Sequence, residues 1–125
     1  MNVVDSSAWL EYFANGPDAS FFAIAIEQTD ELLVSSLTLY EVFKRVLQQR
    51  DESHALQAVA VMQQGTVVDL DGRIALDAAR ISFNSKLPMA DSIVLATALA
   101  HGAIVWTQDS DFKDLPSAQY RGRKP

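Results

Sequence analysis

Asn2-Val3-Val4-Asp5-Ser6-Ser7 is the stretch that decides the fold of this chain. A short apolar run ends abruptly in a carboxylate and two hydroxyls. In a parallel sheet such a run is a buried strand whose last residue emerges at the carboxyl edge, where open α/β folds place their sites. Three later stretches repeat the pattern of an acid held where an apolar element ends or begins. They are Thr38-Leu39-Tyr40-Glu41, Met89-Ala90-Asp91-Ser92 and Trp106-Thr107-Gln108-Asp109-Ser110-Asp111. Four carboxylates brought to one edge make a site for divalent metal ions.

Outward from that stretch, strands and helices alternate. Residues 2–5 read as the first strand and 6–15 as a helix with Trp9, Leu10 and Phe13 at helical spacing, stopped by Gly16-Pro17. Asp18 is placed to cap a second helix through about Gln28, and residues 31–35 form a second strand. The clearest helix follows, with Leu39, Val42, Phe43, Val46 and Leu47 on one face and Lys44, Arg45, Gln48 and Gln49 on the other. Ser53 opens a further helix that ends before Gly65, and residues 66–70 form a third strand. Asp71 caps a helix that Leu87-Pro88 breaks. Residues 90–100 form a helix apolar almost all round, hence buried. Residues 103–107 form a fourth strand. The tail from about residue 117 is basic and loose, and Ser117-Ala118-Gln119-Tyr120 is a poor pattern for a fifth. The expected fold is one three-layer α/β/α domain over 1–125, with a mainly parallel sheet of four or five strands. Right-handed crossovers then put every strand's carboxyl end on one edge.

Bulk properties narrow the chemistry. At 125 residues and 49% hydrophobic, the chain can bury a normal core without staples. It has no cysteine, which excludes disulfides, thiolate metal sites and a cysteine nucleophile. No apolar run is long enough to span a bilayer and no charged-then-apolar leader precedes Asn2, so a soluble, cytoplasmic protein is expected. The formal net charge of −6 means that a nucleic-acid partner is not held by the overall field. It must be held locally, through metal ions and particular basic residues.

Each acid also has an ordinary structural reading. Asp5 can cap the first helix, Thr38-x-x-Glu41 matches a capping box, and Asp91 sits in a first helical turn where the macrodipole favours an anion. Asp109 fits a turn and Asp111 a cap for Phe112-Lys113-Asp114-Leu115. Two features favour a site. Asp91 lies on an apolar helix with almost no polar company, and an isolated buried charge is costly. No lysine or arginine lies within three positions of Asp5, Asp91 or Asp109. An acidic cluster without local counter-ions suits Mg²⁺ or Mn²⁺.

Taken in order and spacing, these motifs resemble those of PIN-domain proteins of the VapC type, ribonuclease toxins of bacterial toxin–antitoxin pairs. The resemblance runs from Asn2 to about Leu115. It rests on Val-Val-Asp-Ser-Ser, on Glu41 in the third helix, on Ala-Asp-Ser-Ile after a proline loop, and on Thr-Gln-Asp-Ser-Asp-Phe after the fourth strand. It implies a catalytic quartet of Asp5, Glu41, Asp91 and Asp109. Ser6 and Thr107 support the acids or their waters, and Asp111 is a further acid of less defined role. On this reading Asp5, Asp91 and Asp109 ligate one or two Mg²⁺ or Mn²⁺ ions, and Glu41 positions or deprotonates the attacking water. The resemblance also implies endonucleolytic cutting of structured cellular RNA, a homodimer, and a small antitoxin that inserts a basic residue among the acids.

Other residues carry two readings each. Trp9, Tyr12 and Phe13 pack the core or offer an aromatic groove to the antitoxin. Lys44 and Arg45, with Arg50, form a solvated face or hold RNA phosphates; Arg121, Arg123 and Lys124 are open in the same way. His54 and His101 start and end helices and have no neighbouring ligand, so a histidine zinc site is not expected. Two rivals stand beside the nuclease. One is phosphoaspartyl chemistry on Asp5, although Ser7 stands where a phosphatase has its second acid and Thr107 where a receiver has its lysine. The other is a non-catalytic binding module whose acids only cap helices.

Overall fold

Alternation along the short strands sends successive side chains to opposite faces, and this splits the core in two. The computed structural model describes residues 1–122. The strands are β1 (Asn2–Val4), β2 (Leu32–Ser35), β3 (Thr66–Val68), β4 (Ile104–Thr107) and β5 (Ala118–Tyr120). The helices are α1 (Ser6–Phe13), α2 (Ala19–Ile26), α3 (Ser36–Gln49), α4 (Glu52–Met62), α5 (Gly72–Ser85) and α6 (Met89–Ala100). Val4, Leu32 and Val34 join Trp9, Phe22, Val42 and Met62 under α1–α4. Val3, Leu33 and Val105 meet Val94, Leu95 and Ala98 of α6 on the opposite face, with α5 packed on α6.

All strands are parallel, in the order β3-β2-β1-β4-β5. The chain runs from β1 to β2 on one side and returns to β4 on the other. The β1–β4 crevice is therefore the place where strand order reverses, and ligands of open α/β sheets bind at such a point. Asp5 stands at its mouth, because the Asp5 N–H still donates to the Trp106 carbonyl at 3.1 Å. Close approach is built in elsewhere too: a Cβ at Gly65 would lie 2.8 Å from the Leu32 carbonyl oxygen, so only glycine fits the α4–β3 turn.

Several boundaries differ from those read in the sequence. The fifth strand forms despite its weak pattern, with Val105, Trp106 and Thr107 paired to Ala118, Gln119 and Tyr120. Backbone pairing along the open side of β4 does not depend on alternating apolar side chains. β3 ends at Val68, two residues early, because the Leu70 N–H turns away to the Ser36 hydroxyl at 3.0 Å. The sequence predicts a loose basic tail from about residue 117; residues 118–120 are instead strand, and Arg123 and Lys124 lie outside the described residues. Among the described residues no helix is long and apolar enough to cross a membrane.

Candidate active site

Asp5 is the anchor. It follows β1 directly, caps α1 by accepting the Ala8 N–H on Oδ1 at 3.0 Å, and is only 4% exposed. The Ser7 hydroxyl donates to the same oxygen at 2.7 Å, and the Thr107 hydroxyl donates to Oδ2 at 2.5 Å. Both hydroxyls then accept from the backbone beyond β4: Ser7 from the Gln108 N–H at 3.0 Å, Thr107 from the Asp109 N–H at 2.8 Å. Two side chains thus lock the carboxylate of β1 to the peptide that carries Asp109. Three of Asp5's roughly four acceptor sites are occupied, so one on Oδ2 remains for a ligand.

Asp109 begins the turn after β4 and accepts the Asp111 N–H on Oδ1 at 2.9 Å. Asp91 arrives from the first turn of α6. The loop before it is pinned by Ser82 and Ser92, whose hydroxyls both donate to the Leu87 carbonyl, at 2.7 and 3.2 Å. One carboxylate oxygen from each of Asp91, Asp109 and Asp111 lies within 4.8 Å of the other two. Asp91 is half-buried rather than buried, and its company is the other acids. Asp111, the acid of undefined role, therefore sits inside the cluster. Asp5 and Glu41 are not among these three, but the charge of Asp109 acts on Asp5 and that of Asp5 on Glu41.

Charge repulsion runs along this chain of acids. Burial, then the charge of Asp109, then contacts with Asp111 and Asp109 push the Asp91 carboxyl up to about 8. Burial also raises Asp5; its hydrogen bonds from Thr107, Ser7 and Ala8 oppose the rise, and Asp109 adds to it. Glu41 is raised by burial and by Asp5, against a lowering contact from the Ser6 hydroxyl. Among the described residues, every ion pair lies elsewhere: Met1–Glu31, His54–Asp51, Arg80–Asp77 and Arg121–Asp18. Converging hard oxygen donors with no cation beside them fit a divalent metal ion of the Mg²⁺ or Mn²⁺ class.

The remaining residues fall out as follows. The capping box at Thr38–Glu41 does not form. Ser35 caps α3 instead, accepting the Leu37 N–H at 3.3 Å, and Thr38 is fully buried with its hydroxyl unpartnered among the described residues. Glu41 is thereby free of its structural reading. Ser6 lies at Glu41, and the hydroxyl that holds Asp5 from α1 is Ser7. The i, i+2 spacing from a helix cap was the available signal for it. Lys44 and Arg45 are exposed on α3, Lys44 at 5.7 Å over the Tyr40 ring.

Trp9 requires a correction. It is fully buried, packed under the sheet with Val4, Phe22 and Val34, and its indole N–H has no partner among the described residues. It is core and offers a partner no surface. Tyr12 and Phe13 are half-buried. Phe13 stacks on Trp9 at 5.5 Å and lines a groove of about 340 Å³ with Leu10, Val46 and Val61.

By sequence, no curated protein matches the chain. Solved structures match its fold. A toxin–antitoxin complex from Klebsiella pneumoniae superposes with a TM-score of 0.80 at 20% identity, over 95% of this chain and 96% of that one. VapC20 of Mycobacterium tuberculosis, a sarcin–ricin loop cleaving toxin, gives 0.78 at 14% identity, over 94% and 96%. DNA-bound VapBC from Salmonella typhimurium gives 0.74 at 16% identity, over 97% and 96%. The sequence pattern of the PIN domain matches residues 3–117, from within β1 to the residue before β5, and the chain belongs to the PIN domain family.

Proposed function

We propose that this protein is a divalent-metal-dependent endoribonuclease, the toxin of a toxin–antitoxin pair, which hydrolyses phosphodiester bonds of structured cellular RNA in the cytoplasm. The observation that carries the reading is the convergence of Asp91, Asp109 and Asp111 within 4.8 Å, without a basic partner among the described residues. The fold it shares with a toxin named for cleaving the sarcin–ricin loop supports the substrate class.

Asp91, Asp109 and Asp111 would hold the cation, with the free Oδ2 site of Asp5 behind them. When bound, such an ion supplies Lewis-acid activation of water and offsets charge on the phosphate. Glu41 takes the proton of the attacking water as oxygen bonds to phosphorus; the bond from phosphorus to a ribose oxygen breaks, and that oxygen leaves as a hydroxyl by taking a proton from solvent. Its raised carboxyl makes it a stronger base than an exposed glutamate. Ser6 orients that carboxyl. Ser7 and Thr107 keep Asp5 and Asp109 in register. Lys44 and Arg45, one turn along α3 from Glu41, take RNA phosphates. Phosphoaspartyl chemistry finds little support, since Asp5 is nearly enclosed and three of its acceptor sites are filled.

Complexes among the structural neighbours support a cognate antitoxin. The groove between α1, α3 and α4, floored by Leu10, Phe13 and Val46, suits an apolar helix from that partner, and an Arg or Lys of its tail would enter the acids. A homodimer is part of the same reading. The test is incubation of purified protein with total cellular RNA in Mg²⁺ or in EDTA, with fragment ends sequenced. Discrete new ends in Mg²⁺ alone are expected; intact RNA under both conditions would refute the reading.

A further inference from the structure

A cleft of about 380 Å³ opens beside Asp109, lined by Ser7, Gln108, Asp109, Ser110 and Tyr120. Tyr120 is the last residue of β5 and stands level with Thr107, the residue that leads into the acids. Its ring is half-buried. A Cβ at Gly122 would lie 2.7 Å from the Tyr120 hydroxyl oxygen, so the ring keeps its place because residue 122 has no side chain. Gln108 is 7% exposed and its Nε2 donates to Asp18 Oδ2 at 3.1 Å. Asp18 is 2% exposed and its carboxylate only accepts, so the NH₂ end is committed and the amide cannot flip. Gln108 Oε1 is left as an acceptor without a hydrogen-bond partner among the described residues.

An aromatic ring and a fixed neutral acceptor, next to a carboxylate and with no cation in the lining, reject phosphate and suit a nucleobase. Single-stranded RNA is bound in general by stacking bases on aromatic rings and by hydrogen bonds to their edges. We propose that this cleft holds the base of the nucleotide flanking the scissile phosphate, stacked on Tyr120 with an N–H of its edge donating to Gln108 Oε1. The inference rests on the nuclease reading above and adds a base subsite to it. Asp18, whose other oxygen lies 3.7 Å from the Arg121 guanidinium, is then a positioning residue that acts on the base through the Gln108 amide.

The test uses an oligoribonucleotide that spans a mapped cleavage site, and a copy with an abasic residue at the flanking position. Single-turnover cleavage is measured for the parent, Tyr120→Leu, Tyr120→Phe and Gly122→Ala. Anisotropy is measured without metal in an Asp91→Asn background, where repulsion of phosphate is reduced. Tyr120→Leu should raise the half-saturating RNA concentration roughly 5- to 150-fold, the effect of losing one base-on-ring stack, and leave the maximal rate within about twofold. Tyr120→Phe should behave like the parent, and Gly122→Ala should fall between. The abasic RNA should cost the parent the same factor yet cost Tyr120→Leu little more, a coupling that a merely structural tyrosine would not show. An active parent with Tyr120→Leu at parental affinity, or with additive losses, overturns the subsite alone. A parent that neither cleaves nor binds RNA overturns the nuclease reading, and the subsite with it.

Discussion

Thr107→Val should destabilise the protein and loosen the acid cluster together. The change is close to isosteric and removes one hydroxyl from a fully buried site. That hydroxyl is the donor to Asp5 Oδ2 and the acceptor of the Asp109 N–H, at 2.5 and 2.8 Å. Two polar groups lose a partner at once, each costing about 1–3 kcal/mol when left buried and unsatisfied. The expected loss is about 2–6 kcal/mol, the lower end applying if water reaches Asp109. With an unfolding entropy of about 2.1 cal/mol/K per residue, a chain of this length shifts by about 4 °C per kcal/mol. The melting temperature should therefore fall by about 8–24 °C. Removal of a bond that holds Asp5's carboxyl down should raise it further, and Mg²⁺ should then stabilise the variant less than the parent. Calorimetry with and without Mg²⁺, with Thr107→Ser as the control that keeps the hydroxyl, checks both points. A loss under about 1 kcal/mol, or an unaltered response to Mg²⁺, would refute the claim that this hydroxyl couples the two acids.

Without metal, stability should fall as pH rises from about 4 to about 8. A carboxyl raised on folding favours the fold while protonated and loses that contribution as it ionises, and Asp91 is raised to about 8. Asp91→Asn should flatten the curve in that window, and parallel curves would contradict the repulsion argument. Trp9→Ala should cost about 3–5 kcal/mol in urea unfolding, tempered by relief of an unpartnered indole N–H; a cost under about 1 kcal/mol would put Trp9 outside the core. Glu41→Gln should lower kcat while Mg²⁺ binding by calorimetry changes little, and Asp109→Asn should weaken Mg²⁺ binding itself. Equal effects of the two on metal affinity would remove Glu41's separate role. Phe13→Asp should abolish co-purification of the antitoxin from the host while RNA cleavage persists, unless the groove is not the partner site.

Much of this was legible from residues alone. Val3-Val4-Asp5 announces a buried parallel strand that ends in an acid, and the other acids follow at the starts and ends of apolar elements. What escaped has physical causes. Ser35 starts α3 three residues before Thr38, and two adjacent serines leave the cap undetermined in sequence. β5 was obscured because its strand pairing is made by backbone groups, which the side-chain pattern of residues 117–120 does not report. Trp9, Tyr12 and Phe13 share a helix, but which ring goes inward depends on α2 and β1. The Gln108–Asp18 bond joins residues 90 apart, so no local spacing could reveal it. Asp111 differs again: its place in the sequence fits a simple helix cap, and only the turn after β4 brings it to Asp91.

On the proposed function, the acids at the β1–β4 crevice bind a divalent ion on which RNA cleavage depends. That dependence is tested most directly by measuring cleavage of one RNA across a Mn²⁺ titration while bound Mn²⁺ is read by electron paramagnetic resonance in the same samples. Binding and cleavage should share one midpoint in the parent, and both should be lost in Asp109→Asn. Cleavage that persists in EDTA, or Mn²⁺ binding that survives Asp109→Asn unchanged, would contradict the proposed function.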